Sequence, residues 1–268
     1  MSTRKRSTFA RFGFVVAVLL VSLVAAPSVS EAAIQQPAFS NGSLKGSYGV
    51  LLNQWNSHFS SSKPFALVGV FDFDGAGNLS ISSFTKNDGG TVTTGTGSGT
   101  YSVKNNGTGS MSITLFEGGT FSIVIDAKGN GFQMILTSSG TDILSGTAVA
   151  TGGSSFSNAS LKGGYESLFV NWTSAQNAST ENDLGIFTFD GVGKVTASLT
   201  QDRAGKVTTV KASGTYSVNS DGSGSMTLTA KQGSITLAFA INSAGKGSQL
   251  ISATSGEKSV LSGTTTQQ

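Results

Sequence analysis

Phe39-Ser-Asn-Gly-Ser-Leu-Lys-Gly-Ser-Tyr48 returns 117 residues later as Phe156-Ser-Asn-Ala-Ser-Leu-Lys-Gly-Gly-Tyr165. Outward from this pair, Trp55 falls on Trp172 and Gly69-Val-Phe71-Asp-Phe73-Asp-Gly75 on Gly185-Ile-Phe187-Thr-Phe189-Asp-Gly191. Gly99-Thr-Tyr-Ser-Val103 likewise falls on Gly214-Thr-Tyr-Ser-Val218, and Leu144-Ser-Gly-Thr147 on Leu261-Ser-Gly-Thr264. The offset stays between 115 and 117, which places the few insertions in loops. A period this long marks a duplicated domain, because solenoid repeats of about 20–50 residues cannot bury a core alone. The pattern predicts one module over 38–150, a second over 156–266, and a flexible linker at Thr151-Gly-Gly-Ser-Ser155.

Within each copy apolar residues alternate at period two. In the first these are Phe71 and Phe73, Leu79 and Ile81, Met111, Ile113 and Leu115, and Phe121, Ile123 and Ile125; in the second, Met226 and Leu228, then Ile235, Leu237, Phe239 and Ile241. Asp74-Gly-Ala-Gly77, Asn106-Gly-Thr-Gly109 and Lys128-Gly-Asn-Gly131 separate these runs, and glycine supplies the positive φ of short β-loops. About eight strands per copy follow, near 45–55, 65–74, 78–86, 91–103, 109–116, 119–126, 131–138 and 141–149. A meander of that many strands removes its edges by closing, so the expected class is all-β, two tandem antiparallel up-and-down β-barrels of calycin-like form, with β-sandwiches as the alternative. In the second strand Ala66, Val68 and Val70 oppose Leu67, Phe71 and Phe73, so both faces are apolar, and copy two has Leu184 and Ile186 there. The outer face is expected to be covered by the sister module or by the N-terminal segment, the alternative being an exposed patch for a partner.

Arg4, Lys5, Arg6 and Arg11 precede an apolar run from Phe12 to Ala26, the order of a signal peptide, and small residues near Ala32 and Ala33 predict cleavage there. The run is shorter than the ~20 residues a membrane span needs. Removing 1–32 takes four of the 17 basic residues and one of the 14 acids, leaving 13 of each. The exported chain is therefore formally neutral, which disfavours nucleic-acid binding. With no cysteine, disulfides, thiolate metal sites and a lipidated cysteine are excluded. The chain is expected to be secreted or periplasmic, with no membrane span after cleavage.

Asp72-Phe-Asp74-Gly-Ala-Gly-Asn78 has the oxygen ligands of a calcium loop, but copy two replaces Asp72 by Thr188 and Asn78 by Lys194, so turn chemistry accounts for more of the pattern. The only histidine, His58, has no counterpart, which excludes a histidine triad or multi-histidine metal site in both modules. The only acid clearly shared is Asp74/Asp190, which disfavours two-carboxylate catalysis common to both; a site in one module alone, from residues such as Glu117, Asp126 and Asp142, stays open. No catalytic residue, metal ligand or cofactor motif is therefore assigned. The shared polar and aromatic residues are Asn41/Asn158, Lys45/Lys162, Tyr48/Tyr165, Trp55/Trp172, Tyr101/Tyr216 and Gln133/Gln249. They serve folding, or else Tyr48, Trp55, Tyr101, Tyr165, Trp172 and Tyr216 line a ligand site at each barrel mouth.

Leu44-Lys-Gly-Ser-Tyr48, Phe73-Asp-Gly-Ala-Gly77, Gly99-Thr-Tyr-Ser-Val103, Gly107-Thr-Gly-Ser-Met111 and Leu144-Ser-Gly146 together resemble a group of uncharacterised secreted bacterial β-modules. The resemblance spans nearly all of both copies and implies no activity. Gly46-Ser-Tyr48 and Gly163-Gly-Tyr165 are also similar to the Gly-x-Trp first strand of lipocalin-type barrels, with Tyr in place of Trp, which implies ligand carriage by analogy. The expected function is an exported, non-enzymatic binding or structural protein. The alternatives are a carrier of a small apolar ligand in each barrel and a barrel enzyme of cyclase or isomerase type. The expected partner is a small apolar ligand or a cell-surface component.

Overall fold

Period-two alternation leaves each strand with one face to bury, and sixteen such strands bury theirs by curling into two tubes. The computed structural model describes residues 38–56, 63–116, 119–138, 142–153, 155–173, 181–257 and 259–268, with only the backbone at Trp55, Asn56, Phe116, Asp142, Trp172 and Thr173. The predicted signal peptide, His58 and Glu117 lie outside the described residues. The first barrel runs β1 (Lys45–Asn56), β2 (Phe65–Asp74), β3 (Asn78–Asp88), β4 (Thr91–Val103), β5 (Thr108–Ile113), β6 (Gly119–Ile125), β7 (Gly131–Leu136) and β8 (Asp142–Ala150). The second runs β9 (Lys162–Thr173), β10 (Glu181–Asp190), β11 (Lys194–Arg203), β12 (Lys206–Val218), β13 (Ser223–Ala230), β14 (Gly233–Asn242), β15 (Gly247–Ser252) and β16 (Ser259–Gln267).

Each strand pairs antiparallel with the next, and β8 returns to β1 as β16 returns to β9. Two closed eight-stranded barrels result, which decides against sandwiches. The first is filled by one cluster in which Phe73, Ile81, Met111 and Ile123 are buried together with Leu67 and Phe121. Phe187, Phe189, Val195, Met226, Leu237 and Phe239 fill much of the second. Asp74 and Asp190 shape equivalent turns. Asp74 Oδ1 accepts from the N–H groups of Ala76, Gly77 and Asn78, and Asp190 Oδ1 from those of Val192, Gly193 and Lys194, across glycines at φ +80° to +124°. Those bonds hold the Asp74 carboxyl down at about 2, with the side chain of Asn78 contributing most.

The apolar outer face of β2 is covered by the sister barrel. Leu51, Ala66, Val68 and Val70 pack against Ala238, Ala240, Ile251 and Val260 of β14–β16 in one buried cluster. Small side chains let the sheets approach closely: a Cβ at Gly49 would stand 3.1 Å from the Ile241 carbonyl oxygen and 3.4 Å from Ala240 Cβ. At the rim Asn87 Nδ2 donates to the Ser252 carbonyl (2.9 Å) and Gln249 Nε2 to Thr147 Oγ1 (2.9 Å). Thr151, between the barrels, is buried and accepts from the Ala244 N–H.

Candidate binding site at the mouth of the second barrel

One end of each barrel gathers its tyrosines, Tyr48 and Tyr165 from the starts of β1 and β9 and Tyr101 and Tyr216 from the ends of β4 and β12. Tyr48 and Tyr101 both pack edge-to-face with Phe73, ring centres 5.3 and 5.0 Å away, and Tyr165 and Tyr216 do so with Phe189 at 5.3 and 4.9 Å. All four are buried, and their hydroxyls are already engaged. Tyr48 donates to the Gly129 carbonyl and Tyr165 to that of Gly245, while Tyr101 reaches the Asn41 and Leu44 carbonyls and Tyr216 those of Asn158 and Leu161. Burial pushes the four phenols above their ordinary range. Asn41 and Asn158 complete each closure by accepting from the N–H of Val103 and Val218. In backbone position Trp55 and Trp172 stand near the far ends of β1 and β9, seven residues from the first tyrosine of each strand, or about 23 Å at the rise of a strand. The six aromatic positions are thus split between the two ends of each barrel.

The far ends of the two barrels differ in chemistry. In the first, Phe65, Leu67 and Leu144 are buried there, with Phe84, Leu115 and Leu136 packed against the same core. At the matching inward positions of β10 the second barrel has Glu181 and Asp183, which are buried yet polar. They line a cavity of about 300 Å³ whose walls include Leu199, Val210, Ala212, Leu228 and Ile235, with Asn171, Gln201, Arg203 and Glu257 among its polar residues.

Glu181 is the best satisfied of these groups. Arg203 holds it through Nη2 (2.6 Å) and Nε (3.0 Å), Gln201 Nε2 donates to its other oxygen, and Asn171 Nδ2 lies 3.4 Å away. Asp183 is not: its Oδ1 is buried without a hydrogen-bond partner, as is Oδ1 of Asn171. Burial first, then the neighbouring Glu181 charge, push the Asp183 carboxyl up to about 6, against the opposing pull of Gln201 and Arg203. Burial and the same Glu181 charge push Glu257 up as well. The mouth therefore carries excess negative charge and two idle acceptors above an apolar well. That arrangement suits a molecule with an apolar body and a cationic or N–H-bearing head.

No protein-family model matches the chain. No curated protein matches it either. Among solved structures it is similar to a protein of unknown function from the DUF3598 family of Nostoc punctiforme PCC 73102, at 11% identity and a TM-score of 0.29, covering 84% of this chain and 97% of that one. It is also similar to the Myxococcus xanthus hemagglutinin in complex with a3,a6-mannopentaose, at 13% identity and a TM-score of 0.16 over 82% of this chain and 99% of that one. For the Burkholderia oklahomensis agglutinin the values are 11% and 0.19, over 85% and 96%. At TM-scores this low the chains do not superpose as wholes, and the chemistry of the mouth follows from its own residues.

Sequence reasoning missed Glu181, Asp183 and Glu257 because it sought acids common to both copies. The available signal was the reverse: Glu181-Asn-Asp183-Leu-Gly185 lies over Phe65-Ala-Leu-Val-Gly69, two carboxylates replacing two apolar residues at alternate positions that face a core.

Proposed function

We propose that the protein is an exported, non-enzymatic binding protein, one of a group of tandem β-modules, in which the first barrel is a filled structural partner. The second barrel holds one small amphiphilic ligand by a cationic or N–H-donating head. Asp183 carries the proposal: a buried carboxylate with an unpartnered oxygen, lining a cavity of about 300 Å³, where the sister barrel has Leu67. A carboxylate placed there costs folding free energy, and a ligand donor that satisfies it recovers the loss on binding. Export rests on the basic and apolar run over Met1–Ala33. Among the described residues the interior of the first barrel is occupied by one packed cluster, which favours one site per chain over a ligand in each barrel.

The test is calorimetric titration with hexylammonium and with hexanoate at neutral pH. One hexylammonium is expected per chain, hexanoate is expected not to bind, and Asp183→Leu is expected to abolish the binding. Hexylammonium binding unchanged in Asp183→Leu, or no binding at all, contradicts the proposal.

A second reading, a barrel enzyme, is favoured by one feature. Asp183 ionises near neutral pH beside an arginine-paired Glu181, the separation of roles seen in general acid–base pairs. Native mass spectrometry of the protein purified from its own host separates the two, since a binder retains its ligand unchanged in mass and an enzyme converts it.

A further inference from the structure

The contact between the two barrels is heterologous: it joins the β1–β2 outer face of one module to the outer face of strands six to eight of the other. Because the modules are copies, each carries both faces, and each contact within the chain uses only one of the two. The β9–β10 face of the second barrel holds Leu168, Leu184 and Ile186 where the first has Leu51, Val68 and Val70, and these three are 41–60% exposed. The β6–β8 face of the first barrel holds Val124, Ile135 and Ile143 where the second has Ala240, Ile251 and Val260, and these are 53–55% exposed. Six of the eight large exposed apolar side chains of the described residues thus lie on the two unused halves of one interface.

The register agrees as well. Val124 pairs with Gln133, and Ile135 with Ser122 and Ser145, as Ala240 pairs with Gln249, and Ile251 with Ala238 and Ser262. Gln249, which donates to Thr147 across the internal contact, has its counterpart in Gln133, and Thr147 has its counterpart in Thr264; both counterparts are exposed. Other positions differ. Glu166 stands for Gly49 and Val124 for Ala240, so these two sheets cannot approach as closely as those of the internal contact; Asn182 stands for Ala66 and Ser122 for Ala238, and Asp202 and Leu136 replace the Asn87–Ser252 pair. With these losses, and without a linker supplying an effective concentration in the millimolar range, the contact between chains is weaker than that within one.

We infer that the protein assembles head to tail with further copies of itself, the β9–β10 face of one chain docking on the β6–β8 face of the next with the same faces opposed as in the internal contact but at a wider spacing, because Glu166 and Val124 replace Gly49 and Ala240. A heterologous contact of this kind leaves a free face at each end, so it propagates as an open string unless the rotation per step closes a ring. The occupant is a second copy because both complementary halves are present, exposed and in register on one chain.

Sedimentation velocity of the purified protein across micromolar to millimolar concentrations tests this, with Leu184→Lys and Ile135→Lys as variants at exposed sites. The sedimentation coefficient of the unmodified protein is expected to rise with concentration. Each variant alone is expected to remain monomeric, having lost one half of the contact. Mixed together the two are expected to form dimers and nothing larger, since one intact half survives on each; that restored dimer also shows both variants to be folded. A sedimentation coefficient constant over the whole range, self-association that either variant leaves intact, or a mixture that stays monomeric overturns the inference.

Discussion

Asp183 and Leu67 hold one position in two copies of one barrel: Leu67 lies opposite Leu52 of β1, and Asp183 lies opposite Phe169 of β9. Both side chains are buried, so a carboxylate takes the place of an apolar side chain at one inward position while the strand pairing stays the same. The duplicated scaffold tolerates this because its strand ladders and turns are fixed by other residues.

The Asp183 carboxyl ionises at about 6 in the folded chain, above the ordinary 3.8. Between those values the folded protein holds a proton that the unfolded chain has released. Stability from this group therefore falls as pH rises from about 4 to about 6, and is level above. Asp183→Asn is expected to raise stability at pH 7 by about 1–3 kcal/mol and to leave it nearly unchanged at pH 4. Thermal unfolding of both proteins at the two pH values measures the difference.

Asp74 works in the opposite sense. Its folded value of about 2 lies below the ordinary 3.8, so its contribution is complete above the ordinary value and is lost as pH falls through about 2. Asp74→Ala is expected to lower the melting temperature at neutral pH and to flatten the acid limb of the stability profile, without affecting hexylammonium binding.

Arg203 is the counter-charge of buried Glu181, though its own side chain is 60% exposed. Arg203→Ala is expected to cost about 1 kcal/mol, reduced by solvent screening at the exposed partner. It is also expected to drive the Asp183 ionisation upward, because Arg203 now opposes the shift. Denaturant unfolding measures the first change, and carbon-detected NMR of the carboxyl resonances follows the second.

The tyrosine closures are equivalent, so Tyr48→Phe and Tyr165→Phe are expected to cost about the same, about 1–2 kcal/mol each, by stranding the Gly129 and Gly245 carbonyls. Neither is expected to alter ligand binding at the far end. Denaturant unfolding gives the first quantity and calorimetry the second.

Much of the fold was legible in the sequence. Alternation at Phe71/Phe73 and Phe121/Ile123/Ile125, with Gly-x-Gly turns between runs, marks strand after strand, and the apolar outer face of Ala66, Val68 and Val70 marked a surface that the sister barrel covers. The ends of strands were less legible: β3 runs to Asp88 and β5 stops at Ile113, because cross-strand pairing outlasts or undercuts the local pattern. The mouth was not legible from shared residues at all. Tyr48, Tyr101, Tyr165 and Tyr216 recur and make equivalent closures in both barrels, whereas Glu181 and Asp183 stand where the first copy has Phe65 and Leu67, so no comparison of shared residues points to them. Gln133 and Gln249 recur for a third reason, their matching places on the two outer faces.

The division of labour between the barrels is tested most directly by amide chemical-shift mapping during titration with hexylammonium at neutral pH. Saturable shifts are expected along β10 and β11 near Glu181, Asp183 and Arg203, with none at Phe65, Leu67 and Asp88 of the first barrel. Equal shifts in both barrels, or shifts centred on the tyrosine ends, would contradict the account.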